Sequence, residues 1–327
     1  MGGFWDNRRT VVAGGCGFVG SHLVERLLAL GARVTLADCR RDALDGPLAP
    51  VAGDVTCLVG DLREASFAAE AVASAEVVFN LAAVVGGLHY NSTHPGSLFT
   101  DNVTVGLGLL EAARKAGVER YCVVSSACVY PRFPAVPTGE DQGFVEDPEV
   151  TNLGYGWAKR VLELQARFYA DQYGMKIAVA RPYNIYGPRD DFEWETSHVI
   201  PALIRKVVEG AGEIEVWGDG TQTRSFLYVT DAVEGLCLLA ENRPTAEPVN
   251  LGTDEEVSIA ELTRRIVRIA GSEAELRFNT DRPRGQPRRK GDFTRAREWI
   301  GHAPAVRLDE GLRRTIEWYR RERDRPS

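Results

Sequence analysis

Apolar positions along this chain follow two alternating periods. Arg9–Ala13 is a short β-rich run, and Phe18–Leu30 follows it with Val19, Leu23, Leu27 and Leu30 at helical spacing. Further strands are predicted at Arg33–Ala37, Thr56–Val59, Val77–Ala82, Tyr121–Ser125 and Lys176–Ala180, with helices near 64–73, 98–116 and 153–173 between them. The early strands are almost wholly apolar, as expected where both faces of a sheet are covered. Strands that alternate with helices imply right-handed βαβ crossovers and an α/β, doubly wound parallel sheet.

After residue 181 the pattern loosens. Pro182, Gly187 and Pro188 punctuate a loop, and a helix is expected to start near Ser197–Pro201. The β-like runs Glu213–Trp217 and Phe226–Val229 flank a turn, and later helices fit 231–240, 258–270 and 308–322. The 327 residues suit two domains. Residues 1–180 are expected to form the sheet domain, with 226–252 packing back onto it, and 181–225 with 253–327 a smaller α+β domain.

Charge narrows the partners. Lys plus Arg is 39 and Asp plus Glu is 46, a net charge of −7 that argues against nucleic-acid or anionic-membrane binding. No apolar stretch is long enough to span a bilayer. The first ten residues carry no apolar run of the kind a signal peptide needs, and Asp6 stands where a myristoylation signal wants Ser or Thr. Six scattered cysteines include no C-x-x-C pair, so no metal site or disulfide framework is expected, and the cytoplasm is the expected compartment. The segment Arg282–Arg297 holds seven basic residues against one acid, Asp292, and reads as a solvated face or a phosphate-recognising segment.

Chemistry first shows between the first strand and helix. Ala13-Gly14-Gly15-Cys16-Gly17-Phe18-Val19-Gly20 fits G-x-G-x-x-G from Gly15 and G-x-x-G-x-x-G from Gly14. Either register leads a glycine turn into a helix N-terminus, where free N–H groups attract a pyrophosphate in a Rossmann dinucleotide site. Asp38 ends the next strand, eighteen residues after Gly20. A carboxylate there accepts hydrogen bonds from the ribose hydroxyls and repels a 2′-phosphate, so NAD is expected rather than NADP, although Arg40 and Arg41 follow closely. Asp61-Leu62 meets the adenine on one reading; a helix N-cap is the competing role for Asp61.

The sequence Tyr155-Gly156-Trp157-Ala158-Lys159 places Tyr and Lys four apart, on one helical face. A tyrosine is a poor base at neutral pH, but an adjacent ammonium and a nicotinamide cation would lower its pKa. Upstream, Ser125-Ser126-Ala127-Cys128 closes a strand. If it stays extended, Ser126 and Cys128 point into one cleft, the serine toward a substrate hydroxyl and the thiol as a proton carrier.

These segments, with Asn80-Leu81-Ala82-Ala83 and Arg181-Pro182-Tyr183-Asn184-Ile185-Tyr186-Gly187-Pro188, resemble the extended short-chain dehydrogenase/reductases that act on nucleotide sugars. More narrowly, Gly86-Gly87, Ser125–Pro131 and Trp217–Phe226 resemble GDP-mannose 3,5-epimerases, while Ser197–Leu203 resembles GDP-L-fucose synthases, whose catalytic histidine falls on His198. The resemblance implies that Gly14, Gly17, Phe18, Val19, Gly20, Leu81, Ala82 and Ala83 line the cofactor. It implies catalytic roles for Ser126, Cys128, Tyr155 and Lys159, and substrate contacts from Gly86, Gly87, Asn184, Arg224 and one of Arg288 and Arg289. Plant-type mannose epimerases carry a second proton on a lysine in the loop that here reads Asp190–Glu195; no lysine stands there, and the role passes to His198. The family also implies a homodimer through helices near 98–116 and 153–173, for which Val103, Leu107 and Leu110 offer an apolar set.

Together these residues describe an epimerase. Once C4 of a sugar is a ketone, C3–H and C5–H are both α to a carbonyl and acidic enough for a thiolate or imidazole to remove. Tyr155 takes the hydroxyl proton during oxidation, Lys159 holds the cofactor ribose, and Cys128 and His198 serve opposite faces. The expected substrate is a nucleotide-diphosphate sugar, GDP-mannose-like, inverted at C5 and/or C3. The alternatives are a fucose-synthase-like 3,5-epimerase/4-reductase of a 4-keto-6-deoxy sugar and a simple 4-epimerase.

Overall fold

The computed structural model describes residues 3–210, 212–281 and 286–324. Its centre is a seven-stranded sheet containing β1 (Arg9–Ala13), β2 (Arg33–Asp38), β3 (Val55–Val59), β4 (Val77–Asn80), β5 (Arg120–Val124), β6 (Lys176–Pro182) and a seventh strand, Thr245–Leu251. The order is seventh-β6-β5-β4-β1-β2-β3, and every pairing is parallel. The order reverses between β1 and β4, so the crevice beyond their carboxyl ends is where a doubly wound sheet takes its ligand.

Each face of the sheet is sealed by helices. Leu23 and Leu27 of the helix Phe18–Ala29 (α1) pack with Ala232, Val233 and Leu236 of the helix Val229–Asn242 in one core cluster. Ala296 and Ile300 join that cluster from the helix Thr294–Ile300, so part of the chain expected in the smaller domain covers the main sheet. On the other face Ala68, Leu109, Leu110, Leu162 and Ala166 bury the helices Ala65–Val72, Pro95–Lys115 and Leu153–Tyr173. Leu110 is only 1% exposed there, which removes it from the apolar face read as a docking surface for a second copy. A third cluster, with Ile204, Val216, Phe226, Leu262 and Leu312, forms the smaller layer.

The seventh strand escaped the hydrophobic pattern because it opens on Thr245-Ala246-Glu247-Pro248, has a register shift before Pro248, and holds Ala246 at φ 59°. An edge strand tolerates the proline, because one side of it has no ladder to complete. The helix expected from 98 starts at Pro95, whose missing N–H costs nothing in a first turn. β4 was expected to reach Ala82 and stops at Asn80.

Under the carboxyl ends of β5 and β6 lies a buried ion pair. Arg181 NH2 donates to Glu163 Oε2 at 2.6 Å and Arg181 Nε to Glu163 Oε1 at 2.9 Å, with the two side chains 1% and 5% exposed. Ser125 Oγ donates to the same carboxylate, and Arg181 NH1 donates to the Tyr130 hydroxyl and the Glu140 carbonyl. The Tyr130 hydroxyl donates to Asn250 Oδ1 on the seventh strand. Removing one partner of such a pair strands the other charge. Arg181→Met is therefore expected to lose about 3–5 kcal/mol of unfolding free energy. Arg181→Met combined with Glu163→Leu should recover part of it, and a urea midpoint unchanged in the single variant would refute this account.

Candidate active site

The glycine turn between β1 and α1 is built by close approach. Gly14 has φ +79°, and a Cβ on it would lie 2.8 Å from the Ala82 nitrogen, against backbone where nothing gives. Gly20 packs its Cα on the Gly14 carbonyl, and Gly17 opens α1 with no side-chain cap. Gly15 is as tightly enclosed, a Cβ there meeting Leu36 Cβ at 2.8 Å, so the turn uses the glycines of both registers. The first-turn N–H groups of Phe18, Val19 and Gly20 need partners from outside the helix. Leu81 and Ala82 line the turn from the end of β4, and Ala83 is exposed beside them.

Asp38 ends β2 with only 7% exposure. Its Oδ2 accepts from the Cys16 N–H at 2.9 Å and its Oδ1 from the Arg40 N–H at 3.1 Å, which ties the second strand to the glycine turn. Asp61 is not the N-cap of the next helix, since Glu64 occupies that position. Its carboxylate instead accepts from the Arg63 N–H and guanidinium, and those bonds hold its pKa down. Leu62 is buried next to it. A pyrophosphate, a ribose diol and a nicotinamide fit these groups in kind: bare N–H groups at a helix start, a carboxylate at the second strand end, and a lysine beside a tyrosine.

That lysine and tyrosine come from the helix Leu153–Tyr173. Lys159 Nζ donates to the Val124 carbonyl at the end of β5 at 2.8 Å and lies 5.4 Å from the Tyr155 ring centroid. Burial pushes Lys159 down to about 8, against the opposing pull of Cys128 and Glu163. Burial likewise drives the Tyr155 phenol upward, and Cys128 adds to it. The lowered phenol expected from the sequence is therefore not a property of the protein groups alone, because burial disfavours the phenolate.

The strand premise for Ser126 and Cys128 is corrected by the fold. β5 ends at Val124, and Ala127–Val129 forms a single 3₁₀ turn whose N-cap is Ser126, its Oγ accepting the Cys128 N–H at 3.1 Å. Both residues nevertheless stay at the cleft, half-buried. The turn lies directly on the tyrosine helix, where a Cβ at Gly156 would meet the Cys128 carbonyl oxygen at 2.5 Å.

Gly86 and Gly87 serve as a frame. The Gly87 N–H donates to the Thr196 carbonyl at 2.6 Å, and a Cβ there would meet the Ser197 oxygen at 2.5 Å. The loop thereby carries His198, which immediately precedes the helix Val199–Val208. Gly86 N–H donates to Asn91 Oδ1, and Asn91 Nδ2 donates to Asn152 Oδ1 at 2.9 Å, just before the tyrosine helix. Asn91 and Asn152 were missed in the sequence, where a buried amide pair leaves no periodic signal. His198 is 48% exposed and its Nδ1 lies 3.7 Å from the buried Asp190 carboxylate.

Across the cleft, the strands Thr223–Ser225 and Arg288–Arg289 register Arg224 against Arg289. Burial and the Arg289 guanidinium push Arg224 down, with Glu149 opposing, so an anion between the two arginines is favoured. Arg288 points elsewhere and is gripped by both Glu256 oxygens at 2.7 Å. Asn184 has φ 33° and donates its Nδ2 to the Ser225 carbonyl at 2.7 Å, which holds the arginine strand. Of the basic segment 282–297, residues 282–285 lie outside the described residues. Among the described residues no three His, Cys, Asp or Glu side chains form a metal cluster.

The sequence pattern of the NAD dependent epimerase/dehydratase family matches residues 10–252. The chain belongs to that family. It is 34% identical to the probable GDP-L-fucose synthase 1 of Oryza sativa subsp. japonica over 95% of this chain and 92% of the relative. It is 32% identical to GDP-mannose 3,5-epimerase 1 of Oryza sativa subsp. indica over 98% and 84%. The fold matches a dTDP-glucose 4,6-dehydratase of Streptomyces venezuelae, solved as a double mutant with NAD bound, at TM-score 0.85 and 27% identity over 96% and 98% of the chains. As a member of this epimerase/dehydratase family the chain is an enzyme that uses NAD.

The buried Asp38 carboxylate makes a specific demand on that cofactor. Calorimetry is expected to show NAD bound at least about 10-fold more tightly than NADP, a difference of ~1.4 kcal/mol. Asp38→Ala should narrow the gap, and equal affinities in the parent chain would remove Asp38 from this role.

Proposed function

We propose that this enzyme epimerises a GDP-mannose-like nucleotide sugar, inverting C5, C3 or both after transient oxidation at C4. The observation that carries the reading is the presence of two candidate proton carriers, Cys128 and His198, on the two segments that frame the Tyr155–Lys159 helix. The turn that carries Cys128 sits on the tyrosine helix, where a Cβ at Gly156 would meet the Cys128 carbonyl oxygen at 2.5 Å. His198 follows Thr196, whose carbonyl accepts the Gly87 N–H at 2.6 Å. A 4-epimerase needs neither carrier.

NAD, when bound, supplies the two-electron acceptor that makes C4 a ketone and later an alcohol again. Tyr155 removes and restores the C4 hydroxyl proton, with Ser126 as its hydrogen-bonding neighbour on the sugar. Cys128 and His198 then take a proton from one face of the ketone's α-carbon and deliver one to the other. Arg224 and Arg289 hold the diphosphate, which leaves Arg288 to its ion pair. The reductase reading rests on the His198 segment and on the likeness to a fucose synthase; Asp38 opposes it, because the 2′-phosphate of NADPH would face a carboxylate.

Two further properties belong to this proposal. The working state is a homodimer through the helices Pro95–Lys115 and Leu153–Tyr173, whose outward side carries Phe99, Val103, Leu107 and Phe168, with Phe168 54% exposed. Light scattering at micromolar concentration should give twice the chain mass, and a monomer would end the dimer claim. The setting is the reducing cytoplasm, in keeping with six unpaired cysteines and with no described helix long and apolar enough to cross a membrane.

Turnover in heavy water tests the chemistry. With a GDP-mannose-type substrate, solvent deuterium should enter C5, C3 or both, and not C4. Cys128→Ser should lose inversion by about 10²-fold or more while still binding NAD. Tyr155→Phe should stop both oxidation and exchange. Product formed with no deuterium at C3 or C5 would replace this proposal with a 4-epimerase.

A further inference from the structure

We propose that Asp190 is a positioning residue for His198, holding the imidazole through its Nδ1–H so that Nε2 is presented to the cleft as the proton carrier. The inference rests on the epimerase reading for its purpose, and on geometry for its substance.

Asp190 is an unusual carboxylate. Its side chain is 3% exposed, its Oδ1 accepts the Asp191 N–H at 2.8 Å, and its Oδ2 is buried with no hydrogen-bond partner. Buried carboxylate oxygens are costly to leave without donors. The side chain facing it is His198, with Nδ1 at 3.7 Å from Oδ1. That separation is too long for a hydrogen bond, and a small rotation of the ring closes it.

Both partners sit on fixed backbone. The His198 carbonyl accepts the Ala202 N–H at 3.0 Å in the first turn of its helix. The Asp190 loop is pinned by Arg205, which donates to the Phe192 carbonyl and lies 3.6 Å over the Trp194 ring. Because Arg205 belongs to the helix that His198 opens, it ties the loop to that helix, and ring orientation is the freedom left for the carboxylate to decide. Once Nδ1–H is committed to Asp190, Nε2 is the nitrogen free to exchange a proton.

The charged groups acting on His198 are Asp190 and Asp191; Arg205 is turned onto Phe192 and Trp194. Burial works against the charged ring, and the Asp190 and Asp191 carboxylates outweigh it and favour imidazolium. That polarity suits His198 to delivering a proton, which leaves Cys128 to remove one.

Nitrogen-15 NMR of the full chain with labelled histidine tests the contact without any substrate, His198 being assigned by its loss in His198→Gln. Neutral His198 should carry its proton on Nδ1, and an Nε2–H tautomer overturns the proposal. In Asp190→Asn the His198 pKa should fall; an unchanged pKa also overturns it. Kinetically, Asp190→Asn should lower kcat for inversion at least about 10-fold with KM and NAD affinity unchanged. Because His198 then loses its proton at lower pH, the descending limb of the rate profile should move to lower pH. If Asp190→Asn does not fold, the tautomer in the parent chain decides. Loss of the expected deuterium pattern with the tautomer intact would sink the epimerase reading and leave the Asp190–His198 contact standing.

Discussion

The buried pairing of Arg181 with Glu163 is the constraint on which the site depends. It joins the end of β6 to the middle of the tyrosine helix, and its neighbours Ser125, Tyr130 and Asn250 bring in the end of β5 and the seventh strand. Ion pairs removed from water give little net stability, since desolvation offsets their attraction. Their value is geometric: the donors and acceptors match only when strand ends and helix meet in one arrangement. Ser126 follows Ser125 directly, and Lys159 precedes Glu163 by one helical turn. The groups proposed for the chemistry thus inherit their positions from this network.

A second constraint is backbone contact where side chains are absent. Gly14 against Ala82, Gly87 against Ser197 and Gly156 against Cys128 are three places where main chain meets main chain. Each joins segments far apart in sequence, and each borders the cleft. The first shapes the cofactor turn, the second fixes the histidine segment, and the third seats the cysteine turn on the tyrosine helix.

The electrostatics of the site run against its charges. Lys159 is pressed toward neutrality, Tyr155 is held as a phenol, and Arg224 faces another arginine. Groups arranged this way are relieved when complementary charge arrives. In the proposed reading, a diphosphate between the arginines and a cationic ring near the tyrosine would each satisfy one of these imbalances.

The sequence by itself determined the doubly wound sheet, the glycine turn with Asp38, and the Tyr155–Lys159 pair, because each is a local pattern: apolar strands in alternation, a motif at a strand–helix junction, two residues four apart. Only the tertiary structure decided what depends on distant partners. It ended β5 before Ser126, buried Leu110, turned Arg288 to Glu256 and left Arg289 beside Arg224. It also made a strand of Thr245–Leu251, whose proline and polar start hide it from any periodicity. Asn91, Asn152, Glu163 and Asp190 carry no signal in the chain, since a buried polar residue is recognised by the partner it meets, and those partners lie tens of residues away or across a loop. Periodicity records which face a residue turns to water; it holds no record of which other face will meet it.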